Sequence, residues 1–382
     1  MAQNYGWAQV SEYRGPVALI SHSYSGVSHY SYSLARKLAG SRCGEVHLVT
    51  NKAFDCDENP PLIIARLFGR SRWLPFHLLR LVAYIVKHRV RVLHLQGVIK
   101  YPILTYIAIL MARVSGRRVV FTAHDILPHY ARSYHRFVMR LIYEEVDGVI
   151  VHSRDNLCAL QSLVPQVGNA VVIPHGLYDI FAPEPSLNRV DARRRLGLQD
   201  GAKIILFFGR IDKRKGAEAL VEQLPLLAEK EPDILVLMVG QSAYAPGFLE
   251  GLASSRGVGR HLKVINGWVD DADVGTYFAA ADAVILPYLE GSTSGVIKIA
   301  LTTGTPVIAT RVGELPEVIQ DTGCGILVDS PFSEQDVDNI MGVVSGAGLE
   351  SIRCNTDAWK KSLSWTVIAE KTCAFYKKVI AT

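Results

Sequence analysis

The chain has 382 residues, a formal charge of +5 and 49% hydrophobic residues. That length points to two domains, each able to bury a core without disulfides or structural metal. The composition excludes disorder, and near-average glycine and proline exclude collagen-like or linker-like chains.

Short β-branched runs alternate with helical periodicity along the whole sequence. In the first half, strands are predicted at Pro16–Ser21, Glu45–Thr50, Val90–Gln96, Arg118–His124, Gly148–Ser153 and Val171–Pro174. Between them lie amphipathic stretches such as Tyr30–Leu38. After the polar stretch around Asn188 the alternation restarts, with strands at Ile204–Phe208, Ile234–Val239, Leu262–Ile265, Ala283–Pro287 and Val307–Ala309. Such order implies α/β architecture with parallel sheets covered on both faces. The reading is two doubly wound, Rossmann-like domains, 1–180 and 181–364, facing across a cleft. Ligands of such sheets bind beyond the carboxyl ends of strands, so the residues that follow each strand are the ones to read.

Charge is unevenly spread. Between Arg66 and Arg140 there are fourteen basic residues and one acid, Asp125. Within that stretch Arg70, Arg72 and Arg80 alternate with Trp73, Phe76 and Leu79. Cations interleaved with apolar groups suit an anionic membrane surface, the partner expected for this side. No nucleic-acid module is recognisable, so nucleic acid is not expected. The longest apolar runs, such as Tyr101 to Ala112, are too short to span a bilayer. No basic cluster followed by an apolar core opens the chain, so no signal peptide is expected. The six cysteines are scattered without CxxC spacing, which fits reduced thiols. These readings together give a cytoplasmic protein, peripheral on the inner face of the membrane.

Four strand ends carry the chemistry. In Phe208-Gly209-Arg210-Ile211-Asp212-Lys213-Arg214-Lys215-Gly216, glycine allows close approach while Arg210 and Lys215 can grip a diphosphate. In Glu290-Gly291-Ser292-Thr293-Ser294-Gly295, a small-residue loop opens a helix whose backbone N–H groups favour an anion. Glu290 is placed there to accept sugar hydroxyls. His124-Asp125 ends another strand, and His124 is expected to point into the cleft. Ser25-Gly26 follows the first strand as a shortened phosphate turn that lacks the full glycine spacing.

In this order, and with Ile173-Pro174-His175-Gly176 near the crossover, these motifs resemble the GT-B glycosyltransferases of retaining family 4, also called group 1. The resemblance implies transfer of a hexosyl group from a nucleotide-diphosphate sugar, with retention of configuration, to a lipid-linked or glycan acceptor. It makes Arg210, Lys215, His124 and Glu290 catalytic. Arg210 and Lys215 would neutralise the departing diphosphate, and His124 would approach the donor sugar. Donor contacts fall to Gly26, Gly209, Trp268, Val269, Thr293, Ser294, Gly295 and Lys298. Arg70, Arg72, Trp73, Arg80 and Asp125 lie on the acceptor or membrane side. The ending from Ser364-Trp365 to Ile380 looks like the family's last helix, which returns over 365–382 to pack on the first domain.

No cofactor beyond the nucleotide sugar is implied. No Asp-x-Asp motif stands where a catalytic metal would need it, and Asp270, Asp271 and Asp273 read as the acidic first turn of a helix. One departure is marked. The family commonly has a second glutamate eight residues after Glu290, and here that position is Lys298, which offers donors and no acceptor. The expectation is an altered donor contact, with Lys298 meeting a phosphate or an acidic sugar. Two other classes remain open: a nucleotide-sugar 2-epimerase of the same architecture, and a catalytically silent glycosyltransferase-like scaffold.

Overall fold

The computed structural model describes residues 13–346 and 359–382, except 14, 23–25, 42, 55, 57–60, 70–73, 99–100, 129–132, 185–186 and 292. The chain forms two compact units, one of Leu177–Ser362, the other of the chain up to Gly176 together with Leu363–Thr382.

The sheet of the first unit contains β1 (Val17–Ile20), β2 (Val46–Asn51), β3 (Ile63–Phe68), β4 (Val92–Gln96), β5 (Arg118–Ala123), β6 (Gly148–Val151) and β7 (Ala170–Val172). Its strand order is β3-β2-β1-β4-β5-β6-β7, and every pairing is parallel. Because side chains alternate along a strand, β1 feeds two separate cores. Ala18 and Ile20 pack with α2 (Leu74–Lys87), α3 (Pro102–Val114) and α4 (Ser133–Glu145). Val17 and Leu19 pack with α1 (Gly26–Ala39) and with the helix Trp365–Ala381.

That helix is seated by small residues. A Cβ on Gly148 would come within 2.8 Å of Phe375 and Val379, and one on Gly176 within 2.7 Å of Trp365. Its Tyr376 hydroxyl lies 2.6 Å from Nδ1 of His94, which is buried on β4, while Nε2 of His94 lies 2.7 Å from the Thr122 hydroxyl. Burial holds His94 down at a pKa of about 3, so it stays neutral.

The sheet of the second unit contains β8 (Lys203–Phe208), β9 (Ile234–Gly240), β10 (Leu262–Asn266), β11 (Ala283–Leu286), β12 (Val307–Thr310) and β13 (Gly325–Val328), in the order β10-β9-β8-β11-β12-β13. Its pairings are again all parallel. The core on one face joins Ile205 and Phe207 of β8 to α7 (Ala217–Lys230), α8 (Phe248–Ser255) and α12 (Glu334–Ser345). In each sheet the order reverses beside the first strand, between β1 and β4 and between β8 and β11. These are the places where a doubly wound sheet opens a crevice for a ligand.

Candidate active site

In the second unit the two strongest sequence motifs meet at the switch point. The loop after β8 is organised by Asp212, which is buried. One of its carboxylate oxygens accepts the Lys215 backbone N–H at 2.9 Å, and the other lies 3.2 Å from Nε of Arg210. The Arg210 side chain, 59% exposed, is thereby tethered at its Nε. Gly216, with φ of 75°, caps α7 in the left-handed region. A Cβ there would sit 1.8 Å from the Pro287 carbonyl oxygen, so only glycine lets the two loops touch.

They touch in three further ways. The Arg214 carbonyl accepts from Leu289 N–H at 3.0 Å and from Glu290 N–H at 3.2 Å. Nζ of Lys215 lies 3.5 Å from the centre of the Tyr288 ring, close enough for a cation–π attraction that places the ammonium. The Tyr288 hydroxyl lies 2.9 Å from that of Ser294, and burial pushes the phenol up to a pKa of about 12, so it stays neutral.

Beyond Tyr288, the exposed Glu290 carries its carboxylate at the loop surface, and Ser294 stands just before α10 (Gly295–Thr303). The expectation that the N–H groups of Thr293–Gly295 await an anion needs correcting at one atom. The Ser294 N–H donates to the Glu314 carboxylate at 2.8 Å. Nor does Lys298 present its ammonium to a ligand: it is 3.5 Å from the other Glu314 oxygen, with side chains 4% and 2% exposed. Glu314 follows β12, and the sequence reading passed over it. A carboxylate thus does enter this loop, but from the next strand end.

The remaining donor-side candidates spread along the same sheet edge. Gly209, with φ of 100°, follows β8 directly. Trp268, 73% exposed, and Val269 follow β10, and Asp270, Asp271 and Asp273 open the helix Asp271–Ala280 as its N-cap and acidic first turn.

In the first unit, His124 follows β5 and is joined by a residue the sequence reading missed. Nε2 of His152, at the end of β6, lies 3.2 Å from Nδ1 of His124, and Nδ1 of His152 lies 3.0 Å from the Ile173 carbonyl oxygen. A carbonyl only accepts, so His152 carries its proton on Nδ1 and its Nε2 accepts from His124. Neutral His124 then keeps a lone pair on Nε2. Burial, and next the repulsion that a second protonated ring beside His152 would meet, hold His124 well below the usual histidine range. Tyr30 of α1 stands edge-on to His124, His175 and Trp365 and tilted against His152, at centroid distances of 4.7–5.2 Å. Gly26 opens α1, and Asp125 is half-buried beside His124. Ser25, Ser292, Arg70, Arg72 and Trp73 lie outside the described residues.

Two family models match in chain order. The one described as Glycosyltransferase Family 4 takes residues 24–178, and the one described as Glycosyl transferases group 1 takes residues 202–343. The chain belongs to the family 4 glycosyltransferases.

Among curated family relatives, it is 32% identical over 257 residues to a D-inositol 3-phosphate glycosyltransferase of Actinosynnema mirum, covering 62% of this chain and 60% of that protein. It is 29% identical over 253 residues to the phosphatidyl-myo-inositol mannosyltransferase of Mycobacterium tuberculosis, covering 63% and 62%. The match therefore takes in less than two thirds of either relative. Among solved structures, the sucrose-phosphate synthase of Thermosynechococcus elongatus superposes with a TM-score of 0.76 at 24% identity, covering 96% of this chain and all of that one. The likeness shows the GT-B fold.

This family 4 chain also exposes an apolar face. On α3 the buried side carries Thr105, Ala108 and Ala112, yet Ile103, Ile107, Leu110 and Val114 are exposed along the opposite side. Phe76 and Leu79 of α2 and Phe137 of α4 extend the exposure onto the neighbouring helices. Arg80 of α2 lies over the Phe76 ring at 5.9 Å. No helix among the described residues is long and apolar enough to cross a membrane.

Proposed function

We propose that the protein is a retaining, metal-independent hexosyltransferase that moves a sugar from a nucleotide-diphosphate donor to a lipid-linked or glycan acceptor at a membrane surface. The observation that carries this reading is the Arg210–Asp212–Lys215–Tyr288 cluster at the β8/β11 switch point. A glycosyl transfer leaves a diphosphate whose charge grows as the bond breaks. Cations already fixed in place stabilise that charge without reorganising. Arg210 supplies a bidentate donor and Lys215 a point charge held over an aromatic ring.

Neutral His124, with its Nε2 lone pair, suits approach to the cationic sugar that forms as the donor bond lengthens. Glu290 is the exposed acceptor for sugar hydroxyls. The Lys298–Glu314 pair means that the glutamate-to-lysine change does not leave a bare cation behind the loop. The two relatives above are named for inositol phosphate and phosphatidylinositol, which fits an anionic or lipid-borne acceptor here. The exposed apolar residues of α2, α3 and α4, set among basic side chains, support docking on an anionic bilayer.

The test is a panel of UDP, GDP, dTDP and ADP with their sugar conjugates, followed by thermal shift, with Arg210→Ala alongside. One nucleotide should raise the melting temperature, and the variant should lose at least about tenfold in affinity, as expected for a charge-assisted contact of about 1.5–3 kcal/mol. With the donor identified, proton NMR of the first product should show the donor's anomeric configuration. An inverted product removes the retaining assignment. Indifference to every nucleotide, by folded protein in the presence of lipid acceptor, removes the transferase.

A further inference from the structure

Helices α2 and α3 end in the same turn. After α2 the Arg89 N–H donates to the Val86 carbonyl at 3.1 Å, and the Val90 N–H to that of Ile85 at 3.0 Å. After α3 the Gly116 N–H donates to the Arg113 carbonyl at 2.8 Å, and the Arg117 N–H to that of Ala112 at 3.1 Å. Such a turn holds one residue in the left-handed region, where glycine is the usual choice. Gly116 fills that place after α3, with φ of 74°. After α2 it falls to Arg89, with φ of 49°, the one non-glycine residue at positive φ among the described residues. A side chain strains the backbone there, so the turn alone does not account for an arginine.

Its surroundings give a reason. Arg89 and Arg91 from the first turn and Arg117 and Arg118 from the second line one surface cavity of about 420 Å³, together with Ile380 of the last helix. The cavity stands at the amino ends of β4 and β5, opposite the edge that carries His124. Helix-end bonding uses part of this set. Arg117 donates to the Ser115 carbonyl at 2.7 Å, and Arg118 lies 2.8 Å from Asp147, a carboxylate it shares with Arg113. Arg89, Arg91 and Arg117 form no ion pair among the described residues, and Nε of Arg117 is buried without a hydrogen-bond partner there. Four guanidinium charges thus face one carboxylate and roughly half a negative charge at each of two helix ends. About two positive charges remain uncompensated around one cavity on that reckoning, which matches a dianion.

We propose that this cavity is a second anion site, which binds a phosphate monoester or diphosphate group. Guanidinium forks match phosphate oxygens, and the surplus charge favours a dianion over a single carboxylate. The volume suits a small phosphorylated compound. The exposed Val114 carries the apolar face of α3 up to the second turn, so an anionic lipid headgroup would bring the same phosphate chemistry to the cavity. The site belongs to the first unit and the Arg210 cluster to the second, so each can be removed without the other.

Pyrophosphate is titrated by calorimetry into the full chain and into its Arg210→Ala variant, which separates this cavity from the donor crevice, and amide exchange locates the bound anion. The Arg210→Ala protein should still bind pyrophosphate and should exchange more slowly across residues 89–92 and 116–119. Adding Arg89→Gln and Arg91→Gln should weaken that binding at least tenfold, as for the loss of charge-assisted contacts. Arg89→Gly should raise the melting temperature of the free chain yet weaken pyrophosphate binding, an opposition that an arginine serving only the turn would not produce. Co-sedimentation with phosphatidate vesicles that pyrophosphate displaces identifies a lipid headgroup as the source. Pyrophosphate binding without such displacement identifies a soluble compound. No slowing of exchange at the two turns in millimolar pyrophosphate, or binding that the paired glutamines leave unchanged, overturns the proposal.

Discussion

The Lys298–Glu314 pair offers the sharpest quantitative test. Its charges are 3.5 Å apart with both side chains almost wholly buried. At an effective dielectric of about 20, that separation corresponds to about 5 kcal/mol of attraction. Desolvating two ions costs several kcal/mol each, so the intact pair adds little net stability. Breaking it is another matter, since one charge is then left buried without a partner. Glu314→Gln keeps an acceptor for the Ser294 N–H but strands the ammonium, and Lys298→Met strands the carboxylate. Each single variant should lose about 3–5 kcal/mol. The double variant should lose under about 2 kcal/mol, because a methionine beside an amide strands no charge. Urea unfolding, followed through amide exchange in β11 and β12, reads the second unit separately from the first. Single-variant costs that add to within about 0.5 kcal/mol in the double variant would refute the coupling.

Gly216→Ala combines a left-handed backbone with a clash against Pro287 and should cost about 2–5 kcal/mol, whereas Gly247→Ala in the same unit, at a similar φ with nothing within 4 Å, should cost only about 1–2 kcal/mol in the same unfolding assay. Stability should fall on mild acidification. His94 takes up its proton near pH 6.5 when unfolded but near 3 when folded, so the unfolded state binds more protons between those values. This one residue then removes about 2 kcal/mol between pH 7 and pH 5, and a flat profile in that window contradicts its burial as a neutral ring. Replacing Ile107 and Phe137 together by serine should reduce co-sedimentation with anionic vesicles several-fold and leave nucleotide binding intact; unchanged sedimentation removes the docking face.

The alternation of β-branched runs with helical periodicity was enough to read two doubly wound sheets, because central strands buried on both faces have no other period. It failed at two sheet edges. β3, Ile-Ile-Ala-Arg-Leu-Phe, pairs on one side only and leaves several side chains half-exposed, so an arginine interrupts its apolar run. β13 is four residues long and opens on Gly325, whose Cβ would meet the Val307 carbonyl oxygen at 1.8 Å. Close approach selects glycine there and disguises the strand as a turn.

At the site, Arg210, Lys215 and Glu290 were legible because each follows a strongly patterned strand. Glu314 and His152 obey the same rule and were open to the same reading. What no spacing could show was their bonding: that Glu314 crosses to the Ser294 N–H and Lys298, and that His152 sets the tautomer of His124. Such contacts join residues on different strand ends, and only the sheet order brings them together.

The link between Tyr376 and His94 spans 282 residues of chain. A ribosome adding about 5–20 residues per second needs roughly 15–60 s to make that interval. Throughout it, the nascent first unit has β4 in place but lacks the helix that covers this face of the sheet, and the second unit emerges first. The first unit must therefore wait part-folded, with an apolar surface and an imidazole open to water. Synthesis completes the second unit before the first, and a chaperone that shields the uncovered sheet has most to protect during that delay.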